Sequence, residues 1–176
     1  MMVNSTPSPP HLQRVGAIAA AWADLDFHIE GAIWLLADVS SSVGACVTAN
    51  FVSIHPKLKS VIALAHLCGM SKATITKLQK FRTGLYGTTE KRNRAIHDQW
   101  ITLSSKDETH QGQMTITTDG EPKFYARYVS LNELDEIEKE ILSQIDRFKD
   151  IVDVMKVQLG ALRKKQQQPP APIPRD

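Results

Sequence analysis

The sequence predicts a mainly α fold: a helical bundle with a small β-hairpin or meander inserted before a long C-terminal helix. Three observations predict it. Val15, Ile18, Trp22, Leu25, Ile29, Ala32 and Leu36 alternate spacings of three and four, the stripe of an amphipathic helix. Leu134, Ile137, Ile141, Ile145, Phe148, Val152, Met155, Leu159 and Leu162 repeat that spacing near the end of the chain. Between Trp100 and Val129 the period drops to two, and Asp119-Gly120 supplies a hairpin turn.

Residues 1–10 are rich in Pro and Ser and are expected to form a disordered lead. One helical domain is expected over 11–165, with the β insertion at about 100–129 and a disordered tail over 166–176. The first helix runs from His11 to about Asp38. Ser40-Ser41-Ser42 breaks the pattern, and a short apolar helix follows from about Val43 to Val52. Ser53 caps the next helix, Lys57 to Leu67, which Gly69 stops. Ser71 caps a further helix from about Lys72 to Tyr86. Gly84 and Gly87 weaken its end, and Thr88 or Thr89 then caps a fresh turn. Strand-like alternation appears at Trp100–Leu103, Met114–Thr117 and Phe124–Val129, with a polar, mobile loop over Ser104–Gly112. Ser130-Leu131-Asn132-Glu133 reads as a capping box for the last helix.

With 176 residues, the chain has room for one well-cored domain. A formal charge of +2 means that any nucleic-acid contact must come from a local patch. No apolar run is long enough to span a membrane, and the N-terminus lacks a cationic and apolar leader, so a cytoplasmic protein is expected. Cys46 and Cys68 are far apart in apolar helical settings and read as buried free thiols. Asp24 and His28, four apart, lack an evident third partner for a metal. His11 and His110 are expected to be exposed, His66 to sit in the interior or at its rim, and Trp100 to pack in the core or hairpin.

Residues 88–100 are the densest collection of chemically useful groups: Lys91, Arg92, Asn93, Arg94, His97 and Asp98 within about three helical turns. An arginine fork grips phosphate oxygens, and an imidazole moves protons near neutral pH. RNA carries its own nucleophile in the 2′-OH, so these groups suit metal-independent phosphoryl transfer with no cofactor. Asn93 and His97, four apart, share a helix face. Arg92 and His97, five apart, lie about 140° apart on a regular helix, so one copy is expected to be a poor site unless the helix ends near His97. Lys91 and Arg94 read as RNA-binding surroundings; the plainer alternative for Arg94 is an i,i+4 ion pair with Glu90.

Arg92-Asn93-Arg94-Ala95-Ile96-His97 resembles the Arg-x4-to-6-His motif of the HEPN superfamily, in which the Arg is often followed by a polar residue. The all-α layout with the motif near a helix end is similar too; the β insertion is not a general family feature. The resemblance implies a homodimer whose paired motifs form a composite endoribonuclease site acting on RNA. Arg92 and His97 would be its catalytic pair and Asn93 the polar support. It also implies 2′,3′-cyclic phosphate products and a possible role as a toxin checked by an antitoxin protein. The alternative is a non-catalytic dimeric module that binds RNA, nucleotide or a protein partner.

Overall fold

A computed structural model describes residues 3–4, 6–103 and 108–166. It is mainly α, with a small antiparallel sheet inserted before the long C-terminal helix. Helix α1, Pro9–Ala37, starts on two prolines whose fixed φ suits a first turn. Its stripe buries Ile18, Leu25, Ile29, Ala32 and Leu36 as the spacing predicts. The helix ends where Asp38 turns left-handed at φ 56°, and Val39 N–H closes back onto Trp34 O at 3.2 Å. Helix α2 spans Ser41–Thr48, with Ser40 Oγ accepting from Val43 N–H.

Helix α3 is Ile54–Leu67. Ser53 occupies its cap position but makes no side-chain cap bond, contrary to expectation. Gly69, at φ 71°, ends it with the same closure as α1: Met70 N–H reaches Ala65 O at 3.0 Å. Helix α4, Lys72–His97, is capped by Ser71, whose Oγ accepts from Thr74 N–H. It runs without a break through Gly84 and Gly87, which corrects the expected stop at Tyr86 and restart at Thr88 or Thr89. Thr89 Oγ1 returns its proton to Leu85 O within the helix, and Thr88 is buried with its hydroxyl on Glu140. Two helical glycines cost about 1 kcal/mol each. Full burial of one side chain such as Phe81 or Leu85 returns about 1.5–3 kcal/mol, so the helix continues.

The sheet comprises β1 Val3–Asn4, β2 Gln99–Leu103, β3 Glu108–Ile116 and β4 Pro122–Tyr128, antiparallel in that order. Val3–Asn4 therefore pairs with β2 inside a stretch expected to be a disordered lead. β3 absorbs residues 108–112, which were expected to be loop; residues 104–107 lie outside the described residues. Gly120, at φ 81°, makes the β3–β4 turn that Asp119-Gly120 predicts. Helix α5 is Leu131–Gln166. Only half of its capping box forms. Ser130 Oγ accepts Glu133 N–H, but the Glu133 carboxylate turns to Arg127. The tail beyond Gln166 lies outside the described residues.

The chain divides into two compact units, Met1–Asp26 with Gly84–Ile145, and Phe27–Thr83 with Asp146–Asp176. In the first, Ile18, Leu25, Leu85, Trp100, Val129, Leu134 and Ile141 are buried. In the second, the buried set includes Ile29, Leu58, Val61, Leu78, Phe81, Phe148 and Met155. Lys57, 4% exposed, is held there by Glu30 at 2.7 Å.

Four placements differ from expectation, the first being His110, which is half-buried with its ring 5.9 Å from that of Tyr128. His11 is buried, its Nε2–H donating to Val129 O at 2.8 Å and its Nδ1 against Ser8 Oγ. His66 is exposed at the end of α3. Cys46 is exposed, while Cys68 is partly covered and donates to Leu36 O. Among the described residues no single helix is long and apolar enough to cross a membrane.

Candidate active site at the end of helix α4

Helix α4 ends at His97. Three contacts hold its last turn. Asp98 N–H and Gln111 Nε2–H both donate to Arg94 O at 3.1 Å, and Trp100 Nε1–H donates to Ala95 O at 3.1 Å. These carbonyls belong to the helix end that backbone bonding leaves unsatisfied. Gln111 and Trp100 are almost fully buried, so the turn that carries His97 is fastened from the sheet side.

On the outer side of that turn Arg92, Asn93 and His97 come together. Arg92 Nη1 donates to Asn93 Oδ1 at 3.0 Å and lies 3.4 Å from His97 Nε2. The helix ends at His97, the condition under which one copy was expected to bring both to one place. Helical side chains lean toward the N-terminus, so the terminal His97 ring tilts back over the preceding turn. The long Arg92 side chain crosses the remaining angle past Asn93.

Arg92 is half-buried, its guanidinium stacked over the Trp22 ring at 5.5 Å. Its Nε is buried and has no hydrogen-bond partner among the described residues. Burial lowers the pKa of this guanidinium, and the charge of Asp26 pulls the other way. Arg92 is thus a cation stacked on an aromatic face and within the field of a carboxylate, with Nη1 directed at the helix end. A guanidinium has no acceptor. A hydrogen bond between the two therefore needs His97 Nε2 as the acceptor.

Lys91 and Arg94 are engaged elsewhere. Lys91 pairs with Glu140 at 2.6 Å, and Arg94 with Glu90 at 2.7 Å, the i,i+4 pair that the spacing suggests. The structure groups Arg92, Asn93 and His97 and leaves Lys91 and Arg94 outside that group. Trp100 packs inside, as expected, and its ring lies 5.9 Å from that of His11.

Sequence reasoning missed Trp22, Asp26 and Gln111 as parts of this site. Trp22 carried only the signal of a core stripe and Asp26 that of a polar helix face. Gln111 fell in a stretch expected to be loop. No family model, curated protein or solved structure matches the chain. The functional reading is carried by the geometry of the residues themselves.

Proposed function

We propose that this chain is a metal-independent endoribonuclease of HEPN type that works as a homodimer. The observation that carries the reading is the convergence of Arg92 Nη1, Asn93 Oδ1 and His97 Nε2 at an exposed helix end. The His97 Nε2 lone pair takes the proton of a ribose 2′-OH. The O2′–P bond forms as the P–O5′ bond breaks, and the leaving O5′ is protonated. Arg92 donates to the phosphate oxygens on which charge accumulates, as a rigid fork suits. In-line displacement needs base and acid on opposite sides of phosphorus. One imidazole cannot occupy both, so a second copy supplies the other. Products are a 2′,3′-cyclic phosphate and a 5′-OH.

The test is cleavage of mixed-sequence RNA in EDTA. Removing the general base by His97→Ala lowers the rate roughly 10²–10⁴-fold. Arg92→Ala lowers it as well, and Arg92→Lys, which loses the two-point fork, restores little. Light scattering should give twice the 19.6 kDa of one chain. Equal cleavage by wild type and His97→Ala removes His97 from the mechanism. RNA binding with no cleavage of any RNA offered makes the chain a non-catalytic RNA-binding module. Growth arrest on expression, relieved by Arg92→Ala, would mark a toxin whose partner is an antitoxin protein.

A further inference from the structure

Helix α4 borders a cavity of about 360 Å³, within the roughly 300–1,000 Å³ of small-molecule sites. Three cations line it: Lys91 and Arg94 from α4 and Arg127 from β4. Each has a carboxylate partner: Glu90 on Arg94, Glu133 on Arg127, and Glu140 on Lys91. Ala95, Leu134 and Ile137 add apolar wall. Glu133 lies in the first turn of α5, whose N-terminal dipole end adds positive potential.

We infer that this cavity binds a small phosphomonoester carrying an apolar ring, of which a nucleoside monophosphate is the simplest form. The arginines hold their present partners loosely. Arg94 and Glu90 are 42% and 68% exposed, and Arg127 and Glu133 48% and 38%. Exposed pairs of this kind are weak, whereas a phosphate offers an arginine two-point, doubly charged contact. Phosphate therefore replaces Glu90 on Arg94 and Glu133 on Arg127, and the ring lies on Ala95, Leu134 and Ile137. Occupancy is felt at the helix end. Arg127 Nη2 also donates to Gln111 Oε1 at 3.0 Å, and Gln111 holds Arg94 O in the turn before His97. The inference stands apart from RNA cleavage, because its readout is binding.

Calorimetric titration of the full chain with AMP, adenosine and inorganic phosphate at low salt tests it. AMP is expected to bind at least tenfold more tightly than adenosine or phosphate. Arg94→Gln with Arg127→Gln should weaken AMP binding tenfold or more, while His97→Ala leaves it unchanged. Glu133→Gln, which removes the competing carboxylate, should tighten it, a gain that misfolding cannot imitate. A 5′-phosphorylated oligonucleotide that competes with AMP assigns the site to an RNA end; one that does not assigns it to free nucleotide. No AMP binding at millimolar concentration, or equal affinity in a double variant with unchanged melting, overturns the inference.

Discussion

Glu140 shows how single residues tie the site's helix to α5. Burial pushes its carboxyl up, but hydrogen bonds from Lys91 and Thr88, together with the Lys91 charge, outweigh that and hold it below the ordinary 4.5. A carboxyl depressed by folding stabilises the protein above its unfolded value, and that contribution is lost as pH falls through the carboxylate range. Thr88 is fully buried and donates to Glu140 at 2.6 Å. Thr88→Val therefore costs about 1–3 kcal/mol, because a hydrogen bond to a charged group is lost; chemical denaturation at pH 7 measures it. The part of this loss carried by the charged acceptor should shrink as pH falls through the folded-state pKa of Glu140, where the carboxylate takes up its proton. His55 provides a second acid-sensitive point. Burial first, and Arg82 second, lower its pKa from 6.5. The unfolded chain then binds the proton first, so stability falls as pH drops below about 6.5. His55→Gln should flatten that part of the pH–stability curve in denaturant titrations.

At the scale of elements, α4 is longer than its composition suggests, and its glycines are the place to test why. A Cβ at Gly84 or Gly87 meets nothing within 4 Å. Gly84→Ala and Gly87→Ala should each raise stability by about 0.5–1 kcal/mol, visible as a higher Tm, because only backbone entropy is removed from the unfolded chain. Gly44 in α2 is the opposite case. A Cβ there would sit 2.3 Å from the Trp34 ring, whose Nε1–H donates to Thr48 Oγ1. Gly44→Ala should therefore cost about 1–3 kcal/mol through overpacking. The same contrast explains what was legible in the chain. Spacing and caps located α1, α3 and α5, whose apolar stripes are long. Glycine propensity misjudged α4, since burial of Phe81, Leu85 and Thr88 is a tertiary effect that no local window contains.

At the scale of the whole molecule, a formal charge of +2 limits how the RNA of the proposed function would be held. Binding that rests on a few local cations should depend gently on salt, with log K falling by roughly 0.7 per log salt for each phosphate contacted by a single strand. Arg92→Ala should reduce that slope by about one contact; fluorescence anisotropy between 50 and 200 mM salt measures it. A slope unchanged by Arg92→Ala would take that side chain off the phosphate.

The sequence by itself determined the helical class, the position of the β insertion and the residues able to grip phosphate and move a proton. Periodicity and side-chain chemistry are local properties, and a single chain displays them openly. Which of those residues meet was decided only in three dimensions. Helix spacing alone separated Arg92 from His97 by about 140°. The helix end, fastened by Gln111 and Trp100, and the Trp22 face under Arg92 brought them to 3.4 Å. The same helix carried Lys91 and Arg94 into ion pairs and the lining of a cavity. Neighbours in sequence came to have different surroundings because a helix turns about 100° per residue, and packing chose what each would meet.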